Sequence, residues 1–397
     1  MLFKKICINV LFGFTLLMPL ATYAQKIELR SAKIYIRETP PKWDRASALL
    51  ETALQKDPGN NEAHYLLGLI NYYRGNFGEM FKHWEASTFK DLDRKNKNQY
   101  KDTLNSMVRG NYARGKQSYE KGEFTEATNY YQTTVKATSL LQKALHSTGK
   151  KKDAKTALEL EPAKQQGYLY WGYAALGASD FDNARIALEK LLEVAPNKFE
   201  AWDGLINVYY TSESWAKLIE ACNKVIELSE KTDLNTYLIL RNAYFGTGDT
   251  TNVVTTYERA IEEFPGEQSL YVDLSSLHDS RKNQDKAIEV LEKGNGALPE
   301  NIELLKYLGI TYYNKGLAAR DASDNESASL AFHGAVSNME KLLLLQPKNI
   351  DGTDILSDAY YGLASIETVA AQKEIFSSKG QELQKAKLDL ITSGEGI

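Results

Sequence analysis

Four columns of residues recur along this 397-residue chain at intervals near 34, and that repetition restricts the fold more than any other feature. Tyr168, Trp202, Tyr237 and Tyr271 form one column; Tyr209, Tyr244, His278 and Tyr312 form a second. Ala184, Leu218, Val253 and Ala287 form a third, and Pro162, Pro196, Pro265 and Pro299 a fourth, in which Pro196 and Pro265 lie two periods apart, with Pro347 lying 48 residues further on. A short turn followed by an aromatic residue also recurs, in "RGNFGEMF" (74–81), "KGEFTEAT" (121–128) and "SESWAKLI" (212–219). Such a period denotes a linear array of small units. A chain of this length also exceeds what one compact core serves.

Within each period the spacing is helical. Tyr168, Trp171, Gly172 and Ala175 recur at three and four, as do Phe181, Ala184, Leu188 and Leu191, so each set shares one helical face. Gly172 and Ala184 are small where two helices are expected to cross closely. Pro196 cannot continue a helix and closes the unit. No such helix can bury its apolar face alone, so each pair must lean on the next.

These residues resemble the tetratricopeptide repeat (TPR), a 34-residue pair of antiparallel helices. The stretch "YLYWGYAALGASDFDNARIALEKLLEVAP" (168–196) is similar to the family pattern over nearly its whole length, with Ser179 where a turn glycine is usual. The resemblance implies an all-α fold, a right-handed superhelical solenoid of antiparallel helix pairs. Units are expected at about 27–60, 61–94, 108–141, 165–198, 199–232, 234–267, 268–301 and 302–349. The organisation is then N-terminal TPR-like units over 27–141, an irregular or degenerate unit at 142–164, a C-terminal array over 165–349, and a partial unit with a capping helix over 350–390. The wider final proline spacing predicts a lengthened helix pair in 302–349, with Ser323 and Glu326 at capping-box spacing between the two helices. "ITSGEGI" (391–397) is expected to fray.

Residues 1–24 have a different character. Lys4 and Lys5 precede an apolar run from Ile6 to Leu20, and Thr22-Tyr23-Ala24 follows, the pattern of a signal peptide cut after Ala24. The alternative is an uncleaved anchor, but a span needs roughly 18 apolar residues and this run is shorter, with Asn9 inside it. Export to the periplasm or cell envelope of a Gram-negative bacterium is the expectation, with no integral membrane span after cleavage. Gln25 follows the cut where a lipid anchor needs cysteine. Cleavage removes Cys7 and leaves Cys222 without a disulfide partner, on an apolar helical face where a buried thiol behaves as a small hydrophobe. The net charge of −4 gives no basic footprint for nucleic acid.

No catalytic residue, metal site or cofactor is expected. "GNYARGKQS" (110–118) has the glycine–lysine spacing of a phosphate-binding loop, but Gln117 replaces the magnesium-binding hydroxyl and the stretch falls inside a helical unit. His64, His83, His146, His278 and His333 show no metal-ligand spacing, and His278 reads as a hydrogen-bonded substitute for a core tyrosine. "DASDNES" lacks the alternating ligands and turn glycine of a calcium loop.

The TPR resemblance implies that the first helix of each unit lines a concave inner face. Consecutive residues diverge by about 100° on a helix, so if Tyr209 fills the core, Tyr210 points elsewhere. The same logic separates Tyr312 from Tyr313 and Tyr360 from Tyr361. The resulting stripe comprises Tyr65, Tyr72, Tyr112, Tyr119, Tyr173, Asn207, Tyr210, Asn242, Phe245 and Tyr313. It is expected to hold a protein or peptide partner, with tyrosines giving contact area and asparagines holding peptide backbone. Two alternatives stand beside it. The rings can instead pack between adjacent first helices, or the tyrosine-rich groove can stack on glycan or peptidoglycan sugars. The chaperone-tail clamp known in some TPR proteins is not expected, because Asp203, Ile239, Ser269 and Asp273 occupy the places its cations and asparagine would need.

Overall fold

The computed structural model describes residues 26–394, and the expected signal peptide lies outside them. Among the described residues every regular element is helical, as the repeat pattern requires. The chain divides into two compact units between Ser212 and Glu213.

The first unit contains α1 (26–37), α2 (Trp43–Lys56), α3 (Asn61–Tyr73), α4 (Phe77–Ala86), α5 (Arg94–Glu120), α6 (Phe124–Ser147), α7 (Lys151–Glu159), α8 (Glu161–Gly177), α9 (Phe181–Val194) and α10 (Phe199–Thr211). Its core follows from close crossings. Helix α3 buries Tyr65, Leu66, Leu67, Leu69 and Ile70, and α4 answers with Met80, Phe81 and Trp84. Gly68 lets them meet: a Cβ there would stand 2.0 Å from Trp84 Cδ1. Gly172 serves α8 in the same way beneath Leu188 of α9, as its small size suggested.

Residues 94–107 and 142–164 depart from the expected units. Helices α5 and α6 run for 27 and 24 residues, so the third pair is lengthened. Tyr100, Leu104, Met107 and Val108 of α5 share one core with Ala137, Leu140, Leu141, Ala144 and Leu145 of α6. The segment expected to be an irregular or degenerate unit finishes α6, forms the nine-residue α7 and begins α8. Pro162 does not close a unit but lies in the first turn of α8, where its missing N–H costs nothing.

The second unit contains α11 (Trp215–Leu228), α12 (Leu234–Thr247), α13 (Thr250–Glu263), α14 (Gln268–Ser280), α15 (Gln284–Ala297), α16 (Ile302–Asp321), α17 (Asn325–Leu345), α18 (Ile350–Ile366) and α19 (Ala370–Ser393). Helices α16 and α17 have 20 and 21 residues against 13 and 14 in α14 and α15, which is the expected lengthened pair. The expected cap is off by one residue. Asp324, not Ser323, accepts the N–H of Ser327 (3.1 Å), while Ser323 occupies the left-handed turn position at φ 62°. Residues 391–393, expected to fray, complete α19. Cys222 is buried in α11, and burial pushes its thiol up to about 12, far from reactivity at neutral pH.

One backbone device recurs in the turn between consecutive helices. Gly75, Gly122, Ser179, Glu213, Gly248, Lys282 and Ser323 all have positive φ. The residue that follows Ser179, Gly248, Lys282 and Ser323 is Asp180, Asp249, Asn283 or Asp324, and each caps the next helix with its side chain. The geometry is retained whether or not glycine supplies it. A left-handed side-chain-bearing residue costs about 1–2 kcal/mol, and glycine returns part of that through unfolded-chain entropy. Lys282→Gly is therefore expected to raise the stability of the second unit by about 0.5–1 kcal/mol, read as a higher urea midpoint.

Two further substitutions have opposite signs. Gly68→Ala forces the Trp84 ring to move and is expected to cost about 1–3 kcal/mol. Gly110→Ala, in α5 with nothing within 4 Å of its Cβ, is expected to gain about 0.5–1 kcal/mol from helix propensity. Urea titration of both variants checks the pair.

Candidate functional site

The first unit carries a groove of about 1090 Å³ between α1, α3 and α5, the first helices of three successive pairs. The last turn of α3 ends in Tyr72 and Tyr73, which point about 100° apart. Tyr72 is half-buried, whereas Tyr73 is 56% exposed and stacks on Trp43 of α2, with ring centroids 5.5 Å apart and planes 13° apart. Tyr72 meets Tyr73 edge-on at 5.3 Å, so the three rings form one braced platform. Leu66 and Leu69 add apolar lining, and the facing side of α5 supplies Asn96, Asn98 and Gln99. Charge is balanced: Lys33, Arg37 and Lys95 oppose Glu62, Asp93 and Asp102, and Lys33 pairs with Glu62 at 2.5 Å. An aromatic platform opposite amides, with no net charge, suits a neutral chain carrying apolar side chains and backbone polar groups.

The predicted stripe residues fall into three environments. Tyr65 is a correction: it is fully buried against Trp84, and its hydroxyl donates to Gln99 Oε1 (3.0 Å), so its ring belongs to the core. Burial raises its hydroxyl pKa strongly. Tyr112 packs edge-on against Tyr131 and Tyr170, at 5.7 and 6.0 Å, and Tyr119 against Phe124 at 5.3 Å. Tyr173 donates to the Glu200 carbonyl (3.0 Å), tying α8 to α10, and burial pushes its hydroxyl up to about 12. Tyr112 and Tyr173 thus show the packing between first helices weighed as the alternative, whereas Tyr119 meets the second helix of its own pair. In the second unit, Tyr313 is half-buried beside Phe332, and Asn242 Oδ1 accepts from the guanidinium of Arg241 (3.1 and 3.2 Å). Asn207, Tyr210 and Phe245 are exposed, the last two by 45% each. The ten residues thus lie on two separate units, and Tyr72 alone among them lines the groove.

Sequence reasoning missed Trp43, Tyr73 and the N-terminal half of α5. The tyrosine doublet was a usable signal for Tyr73. Nothing periodic marked the other two.

The fold also joins two histidines that spacing left apart. His64 Nε2 bonds the Pro58 carbonyl (2.9 Å), so in the neutral ring its Nδ1 accepts, and His83 Nδ1–H then donates to it across 3.1 Å. His278, expected in the core with a hydrogen bond, is only half-buried. Among the described residues no group of three or more His, Cys, Asp or Glu is placed to hold a metal ion. Burial, then the neighbouring His64, lowers the pKa of His83, with Glu79 opposing and Lys82 adding to the effect. A histidine held neutral in the fold contributes stability above its unfolded pKa of about 6.5, and that contribution is lost as pH falls below it. The melting temperature is expected to fall between pH 7 and pH 5, and less steeply in His83→Gln, in which one partner no longer titrates.

Residues 42–79 and 169–231 match the family model described as tetratricopeptide repeat. Stress-induced-phosphoprotein 1 of Caenorhabditis elegans is 24% identical over 151 residues, which cover 36% of this chain and 45% of that protein. The match thus spans less than half of that relative. Among solved structures, MamA is 28% identical, covering 45% of this chain and 92% of its own, with a TM-score of 0.32. A TPR-repeat protein from Bacteroides fragilis is 17% identical, covering 49% and 97%, with a TM-score of 0.40.

Proposed function

Because the chain is a tetratricopeptide-repeat protein, we propose that it is a non-catalytic scaffold that holds an extended segment of a partner protein in the groove between α1, α3 and α5. The observation that carries this reading is the braced Trp43–Tyr73 platform, exposed on one wall and faced by amide side chains on the other. A large ring held rigid before binding loses little entropy when a side chain docks on it. Amides opposite the platform supply the donors and acceptors that an extended backbone lacks. We also propose that the chain is exported to the envelope of a Gram-negative bacterium after cleavage behind Ala24, which N-terminal sequencing of the fractionated protein tests.

Selection of displayed dodecapeptides on the purified chain, followed by fluorescence anisotropy, tests the groove. Tyr73→Ala and Trp43→Ala are each expected to weaken the selected peptides by at least tenfold, since buried aromatic anchors contribute about 2 kcal/mol or more. Full affinity in both folded variants places the site elsewhere. Failure to select any peptide, together with Tyr73-dependent binding of peptidoglycan fragments, favours the sugar-stacking alternative.

A further inference from the structure

A second cleft lies on another face of α5. Residues 95, 99, 102 and 106 face the groove, whereas Arg94, Lys97 and Lys101 recur at three and four on a face turned well over 90° from them. With Lys90, from the short 3₁₀ turn Phe89–Asp91, and Lys150, just before α7, these three surround a cleft of about 520 Å³. Five cations thus line it against one carboxylate, Asp153, which accepts from the Thr148 hydroxyl at 2.7 Å. Among the described residues, Lys90, Arg94, Lys101 and Lys150 have no carboxylate in ion-pair contact. Lys97 donates to the Lys90 carbonyl (2.5 Å), which holds the two walls together. The buried ring of Phe89, packed on Tyr100 at 5.2 Å, contributes a rigid apolar surface.

Composition does not account for this. The chain has a net charge of −4, and the groove on the neighbouring face is neutral. The cleft is also built where the chain leaves the 34-residue period, from the N-terminal extension of α5 and the turn between α6 and α7. Like charges gathered around a concavity repel one another, and an anionic guest relieves that repulsion.

We propose that this cleft docks an acidic peptide segment of a partner protein, several of whose carboxylates pair with Arg94, Lys97, Lys101, Lys90 and Lys150. A short run of carboxylates on a flexible chain can distribute itself over five cations in a confined space. A single inorganic phosphate carries too few charges to engage them all. A nucleic-acid duplex or a bilayer surface calls for a broad, open basic face instead of a recess. This cleft shares Asn98 with the α1–α3–α5 groove but none of its charged residues, and its test does not depend on what the groove holds.

The probe is a fluorescein-labelled octapeptide of alternating Asp and Glu, titrated into the full chain beside its Asn/Gln counterpart. The acidic peptide is expected to bind at 50 mM salt and weaken at least tenfold by 200 mM, while the neutral peptide does not bind. Lys101→Glu combined with Lys150→Glu is expected to lower affinity at least tenfold, Arg94→Glu to lower it severalfold, and Tyr73→Ala to leave it unchanged. Helical circular dichroism identifies any variant that fails to fold. Equal binding of the acidic peptide by wild type and both folded charge variants overturns the proposal. So does tighter, Lys101-dependent binding of pyrophosphate, a single-stranded oligonucleotide or anionic vesicles.

Discussion

Everything in this structure depends on how closely two short helices can approach. Where the first helix of a pair carries glycine, a bulky side chain from the second descends onto bare backbone: Trp84 over Gly68, Tyr131 by Gly115, Leu188 over Gly172 and Phe332 over Gly316. Each contact brings an amphipathic helix near enough to its partner to bury both apolar faces, and the joined pair then presents a fresh apolar edge to the next. The interacting ring or branched chain differs from pair to pair. What persists is small beneath large, and it explains why Gly115, inside a sequence with the spacing of a phosphate-binding loop, sits mid-helix against Tyr131.

The periodicity made the helix pairs legible because packing imposes it. Tyr168, Trp202, Tyr237 and Tyr271 recur because each helix meets a similar neighbour. The same reasoning could not see residues 94–107 and 142–164, whose apolar positions answer one another across a hairpin and have no counterpart 34 residues away. Pro162 continued the proline column in sequence but entered a different context, the start of a helix. The Ser323 error was smaller in kind. Both residues of Ser323-Asp324 suit a cap, and only the backbone angle assigns the turn to one and the cap to the other.

The candidate site was legible only in part, for a physical reason. A column marks what repeats, whereas a binding surface is what one repeat does differently. The position of Tyr73 holds Thr211, Gly246, Ser280 and Asn314 in other units, so no alignment of the repeats singles it out. Trp43 comes from a second helix, outside the faces considered. Conversely, Tyr112 belongs to the stripe by register, yet Tyr131 and Tyr170 close around it. A tyrosine's register tells which way it leaves its helix and does not tell what waits there.

The lengthened pair of the second unit has a consequence for how such chains can grow. Helix α16 exceeds α14 by seven residues and α17 exceeds α15 by seven. Seven residues are almost two whole turns, which brings an apolar stripe back to within about 20° of its starting direction. Adding five residues to one arm would have swung its oily side toward water. Matched heptads on both arms of this hairpin therefore leave its apolar faces where the neighbouring pairs meet them, whereas α5 and α6, of 27 and 24 residues, are lengthened unequally and pack their added apolar positions against one another.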